Sequence, residues 1–159
     1  MEFSRRSLLA GAAIGGGLAI GWALWPRAYP PNLVAAEGER IFNAWLKIGT
    51  DGHVTVVVPQ VEMGQGSYTV IPQIIADELG ADWRTIAVEP APLSPAYANT
   101  VFADEWHEGW WPKEKVQATG GSSTVRGYEF VARQAGAAAR ALLCKAAAKR
   151  WDADWLACD

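Results

Sequence analysis

Cysteine and histidine are scarce: two of each occur in 159 residues. Cys144, Cys158, His53 and His107 form no CxxC and no Cys/His cluster, so the chain has no ligand set for an iron–sulfur centre. Electrons that leave this protein must pass to another subunit. Two free, buried thiols are expected, with a disulfide as the alternative in an oxidising compartment. Basic charge is also short. Beyond residue 36 there are 11 Lys+Arg against 16 Asp+Glu, a net charge of −5. That balance excludes nucleic acid, whose phosphates require a basic surface. No Gly-rich loop is followed by the lysine of a P-loop, and no Ser/His/Asp or Cys/His arrangement can be assembled.

What is present begins with an address. Ser4-Arg5-Arg6-Ser7-Leu8-Leu9 precedes AGAAIGGGLAIGWALW, the pattern of a twin-arginine export signal. Residues 8–25 carry no charge and just reach membrane-spanning length, with Trp22 and Trp25 placed as interfacial anchors. Residues 1–36 are therefore expected to be a signal and linker, either cleaved after Val34-Ala35-Ala36 or retained as an anchor, and 37–159 the folded part. The expected location is the periplasm or the periplasmic face of the inner membrane.

Within the folded part, Phe42–Ile48 and His53–Val58 read as strands around Gly49-Thr50-Asp51-Gly52, a hairpin signal. Ser67–Leu79 has apolar residues at helical spacing (Val70, Ile71, Ile74, Ile75, Leu79), Ser67 as a cap, Pro72 near the first turn and Gly80 as a stop. Thr85–Glu89 reads as a third strand, and 90–119 shows no sustained period. A long helix is predicted over Ser123–Trp151, with Tyr128, Val131, Ala135, Ala139, Leu142 and Ala146 on its buried stripe. Arg126, Arg133 and Arg140 fall on a separate, solvated face. The order β-β-α-β-loop-α gives an α+β fold: a small sheet with a β-hairpin and two packed helices.

Two stretches carry possible chemistry. In Glu62-Met63-Gly64-Gln65-Gly66, glycines flank one amide where a strand meets a helix, so backbone can approach a ligand closely and the opening N–H groups suit an anionic or oxo group. A plain turn with Gln65 capping the backbone fits the spacing too. Thr119-Gly120-Gly121-Ser122-Ser123 opens the long helix and suits phosphate, but helix capping by Ser122 or Ser123 serves equally. WHEGWW (106–111) offers His107 as a base and tryptophans for a partner or an entrance, against local loop packing.

Taken together, NAWLKIGTDGHVTVVVPQVEMGQGSYTVIPQIIADELGADW, VEPAPLSPAYANTVF and ATGGSSTVRGYEFVARQAGAAARALL resemble the molybdenum-binding large subunit of the xanthine dehydrogenase/aldehyde oxidase family. The branch is the isoquinoline 1-oxidoreductase β-subunit type, also known as membrane-bound aldehyde dehydrogenase. The resemblance implies a molybdopterin cofactor, commonly in its cytosine dinucleotide form, and hydroxylation of aldehydes or N-heterocycles with oxygen from water. It implies that Gln65, between Gly64 and Gly66, hydrogen-bonds the apical oxo ligand of molybdenum. Gly120, Gly121, Ser122 and Ser123 would then lie against the pterin and its diphosphate. It further implies a small [2Fe-2S] subunit, with room for a c-type cytochrome. Family members are several times longer, and no residue here takes the role of their distant catalytic glutamate. The chain is therefore expected to be the N-terminal portion of such an enzyme, inactive alone; a membrane-anchored binding or assembly module of the same fold is the rival expectation.

Overall fold

The computed structural model describes residues 31–106 and 116–158. The twin-arginine segment, the 8–25 stretch, His107, Trp110 and Trp111 lie outside the described residues. Four strands, β1 (Glu39–Ile41), β2 (Leu46–Gly49), β3 (Val54–Val58) and β4 (Ile86–Pro90), form one sheet in that order. β1–β2 and β2–β3 are antiparallel, and β3–β4 is parallel. The parallel step requires a crossover, and helix α1 (Ser67–Leu79) makes it. Two further helices follow, α2 (Thr100–Trp106) and α3 (Ser123–Trp151). The chain is thus α+β, with one strand and one helix more than the periodicity shows.

The extra strand arises because Asn43 breaks the predicted 42–48 run. Its Oδ1 accepts from the N–H groups of Trp45 and Leu46 at 2.8 and 3.1 Å, a local turn that competes with the ladder. The chain before it, left-handed at Gly38 (φ 80), then folds back to pair Glu39 with Gly49.

One face of the sheet carries Leu46, Val54, Val56 and Val58, against Ile71, Ile75 and Leu79 of α1 and Tyr128, Ala132, Ala135 and Ala139 of α3. Each large aliphatic residue buried there stabilises the fold by roughly 1.5–3 kcal/mol. α1 matches its expected bounds. Gly80, at φ 74, closes it by donating to the Ala76 and Asp77 carbonyls, the left-handed stop that glycine permits. Pro72 lies beyond the first turn and is buried, so the helix forgoes one internal bond there. α3 approaches α1 closely through small residues: a Cβ on Gly136 would stand 2.6 Å from the Ile75 carbonyl oxygen. That crowding explains the buried set Ala132, Ala135, Gly136 and Ala139. It also corrects the predicted stripe, because Leu142 and Ala146 are exposed.

The arginines of α3 are not merely solvated. Arg126 pairs with Glu105 of α2, and Arg133 with Glu78 of α1 at 2.7 Å and Glu129 at 3.1 Å. Exposed pairs of this kind are screened by solvent and add little to stability.

The opposite face of the sheet holds a buried charge. Lys47 is 4% exposed, and its Nζ reaches Glu89 at 2.7 Å, Glu39 at 3.1 Å and the Val34 carbonyl at 3.0 Å. Burial pulls its pKa down, but the hydrogen bonds and charges of Glu89 and Glu39 outweigh that and leave it raised. Among the described residues, no buried side-chain nitrogen or oxygen lacks a partner.

Candidate functional site

The end of β3, the start of α1 and the start of α3 converge. Gln60, 1% exposed, joins the two glycine loops. Its Nε2 donates to the Ala118 carbonyl at 2.8 Å, and its Oε1 accepts from Thr124 at 3.3 Å. The Val61 N–H donates to Thr119 Oγ1 at 2.8 Å. The two stretches singled out in the sequence are therefore neighbours, although 58 positions separate these partners. Beside them lies a cleft of about 380 Å³ lined by Gln60, Val61, Met63, Tyr68, Leu93 and Thr119, within the size range of small-molecule sites.

The first loop is fixed by a residue whose role the sequence reading missed. One Glu62 carboxylate oxygen accepts from the Gly64 and Gly66 N–H groups at 2.7 and 3.1 Å; the other accepts from Tyr68 N–H at 2.9 Å and Ser67 Oγ at 3.1 Å. Glu62 therefore caps α1, and Ser67, expected as the cap, instead donates to it. These bonds to Tyr68, Gly66, Gly64 and Ser67 depress the Glu62 pKa to about 2. Of the Gly64–Ser67 N–H groups expected to suit an anion, a carboxylate of the chain itself therefore takes two, those of Gly64 and Gly66, along with the neighbouring Tyr68 N–H. The usable clue was an acid a few residues before a helix start, which meets the positive end of the helix dipole.

Gln65 is exposed but engaged. Its Oε1 accepts from Met63 N–H at 2.6 Å, and its Nε2 donates to the Val61 carbonyl at 2.5 Å and Ser67 Oγ at 3.2 Å. The backbone-capping reading thus holds in this structure. Gly64 and Gly66 take φ of 97 and 83, and a Cβ on either would meet nothing within 4 Å. The loop consequently presents an open backbone face, with the Gln65 amide held beside it.

The second loop is packed. A Cβ on Gly120 would lie 3.2 Å from Phe102, and one on Gly121 only 2.8 Å from Trp106 Nε1; these two rings stack at 6.2 Å. Trp106 therefore stacks on Phe102 with one side of its ring, while the residue stays 66% exposed. Ser122 is exposed at φ 50 and makes no side-chain cap. Ser123 is fully buried: its Oγ donates to the Gly120 carbonyl at 2.6 Å and accepts from Asn99 Nδ2 at 2.6 Å. Neither serine caps α3 by its side chain.

Asn99 is the second missed residue. Its Oδ1 accepts from Phe102 N–H at 3.0 Å, capping α2, while Nδ2 also donates to the Ala118 carbonyl at 2.8 Å. Asn before Thr100-Val101-Phe102 was a legible cap signal; its hold on a loop 19 residues away was not. Tyr128 donates to the Tyr97 carbonyl at 2.9 Å, and Tyr97 to that of Ala44. Burial pushes both phenols up to about 12, so they remain protonated donors at neutral pH and are not bases. Among the described residues, no group of His, Cys, Asp or Glu could hold a metal ion.

Residues 4–100 match the molybdopterin cofactor-binding domain family. The chain is 40% identical over 110 residues to isoquinoline 1-oxidoreductase subunit beta of Brevundimonas diminuta, covering 69% of this chain and 13% of that protein. It is 33% identical over 155 residues to the membrane-bound aldehyde dehydrogenase [pyrroloquinoline-quinone] of Gluconacetobacter polyoxogenes, covering 93% of this chain and 17% of that one. The chain thus spans less than a fifth of the length of these relatives. With its two glycine loops placed side by side and more than half its residues matched, the chain belongs to the molybdopterin cofactor-binding domain family.

Proposed function

We propose that this chain forms the N-terminal, cofactor-contacting part of a molybdenum hydroxylase acting on aldehydes or N-heterocyclic aromatics, with oxygen taken from water. The observation that carries the reading is the exposed Gly64-Gln65-Gly66 loop, whose backbone face is open and whose neighbour is the second glycine loop. The first loop fits a cofactor that must come close to backbone. Gly64 and Gly66 would admit it, and the Gln65 amide, whose longest bond is the 3.2 Å contact to Ser67, would hold it by an N–H. In the second loop only Ser122 offers an exposed hydroxyl. Gly120, Gly121 and Ser123 shape that loop from within, so their part in holding a cofactor is indirect.

The cofactor is read as molybdopterin in its cytosine dinucleotide form, and when bound it supplies two-electron redox chemistry. The catalytic glutamate that the resemblance implies has no counterpart among these residues, so turnover requires the remainder of a large subunit. A small [2Fe-2S] subunit, with or without a c-type cytochrome, would carry the electrons away. The twin arginine supports export to the periplasm, with residues 8–25 either removed with the signal or kept as an anchor.

Molybdenum and pterin content of natively purified protein, with whatever co-purifies, tests this reading. Close to one metal per chain is expected, and Gln65→Ala should lower retained molybdenum by roughly tenfold or more. Metal-free, pterin-free protein that travels alone would overturn it and favour a binding module that kept only the fold.

A further inference from the structure

The chain does not leave α3 freely. Asp152, at φ 52, reverses it, and a 3-10 turn at Trp155–Ala157 lays the following residues back along the helix. The Ala153 N–H returns to the Ala148 carbonyl at 3.0 Å, and the Trp155 ring stands 5.1 Å from the Lys145 ammonium. This return places the Cys158 carbonyl oxygen 3.4 Å from the Sγ of Cys144, while the Cys158 thiol points to the Asp154 carbonyl at 3.8 Å. Both thiols are free, and both are partly exposed rather than buried as expected from the sequence. They share a cleft of about 340 Å³ with Glu78, Arg140 and Trp155.

We propose that Cys144 and Cys158 are a redox pair whose disulfide fastens the C-terminal return to α3. A carbonyl oxygen lies about 2.4 Å from its own Cα, so the Cα of Cys158 is within about 6 Å of the Cys144 sulfur. The S–H contacts that hold the thiols apart are weak ones. The turn that would have to shift carries Leu156, which is exposed and so gives up little packing when it moves. Rotating the Cys158 side chain away from Asp154 then brings the sulfurs together.

The oxidant required is a disulfide, which glutathione disulfide represents. One protein thiolate attacks it, forming a mixed disulfide and releasing one glutathione. The second thiolate attacks the protein sulfur of that intermediate, closing the Cys144–Cys158 bond and releasing the second glutathione. The two protein thiols give up two electrons and two protons, and the released glutathiones take them up.

The test uses the full 159-residue chain in glutathione buffers, with intact mass, thiol titration and a non-reducing peptide map. The titratable thiols should fall from two to none, in a monomer lighter by two hydrogens that yields a linked Cys144–Cys158 peptide. Cys144→Ser and Cys158→Ser should each stop at a single glutathione adduct. Closure should be at least about tenfold more favourable in the folded chain than in urea, because the fold raises the effective concentration of one thiol near the other. Two stable glutathione adducts, dimers linked between chains, or equal closure in urea would each overturn the proposal.

Discussion

At Gly64 and Gly66 an added methyl group would point into empty space, whereas at Gly120 and Gly121 it would press on Phe102 and Trp106. All four glycines have positive φ, yet glycine answers two different needs. In the first loop backbone angle alone demands it, and the face is left open. In the second, angle and space both demand it, because an aromatic pair fills the volume a side chain would take. The loops are also held differently. A half-buried carboxylate, Glu62, gathers the first from within its own sequence. The second is pinned by Asn99, buried and distant in sequence.

The strongest way to break this contrast is Asn99→Ala. It removes the cap of α2 and leaves Ser123 and the Ala118 carbonyl short of a buried donor, so urea unfolding should show a loss of about 3 kcal/mol. A loss under half that size would mean the second loop is held by something else. Next, Gly121→Ala should cost about 2 kcal/mol through overpacking, and Gly66→Ala about 1 kcal/mol through angle alone. Trp106→Ala should relieve the first by at least about 0.5 kcal/mol in a double-mutant cycle and leave the second untouched. Equal relief of both would erase the distinction.

The smallest effect is in pH. The bonds from Tyr68, Gly66, Gly64 and Ser67 hold Glu62 at about 2, against an ordinary 4.5. A depressed carboxylate adds stability that is complete above its ordinary value and is lost as pH falls through the native one. Glu39, Asp51, Asp82 and Glu105 are lowered as well, so the informative quantity is the difference between the parent and Glu62→Gln. That difference should shrink from about pH 4.5 down to about 2; a constant difference would remove Glu62 from the role of clasp.

These assignments follow the limits of what periodicity carries. α1 was legible to its end residues because an apolar period is bracketed by two glycines, and the β2–β3 hairpin because Asp-Gly marks it. β1 was not, since three residues with no alternation become a strand only by pairing with β2. Likewise α2 hides in an aperiodic segment and depends on Asn99. Of the candidate site, the glycine positions and Gln65 could be found in the sequence. Their adjacency could not, because Gln60 and Thr119 create it in three dimensions.

The Lys47 cluster on the far face has a consequence for how the sheet assembles. Its two acidic partners come from β1 and β4, the outermost strands on either side. A slip of one residue in β2 would turn the ammonium towards the valine-lined face under the helices and strand both carboxylates without their cation. One buried charge therefore penalises a misaligned sheet from both of its edges at once, and the alignment it favours is the one that sets the loops at the strand ends side by side.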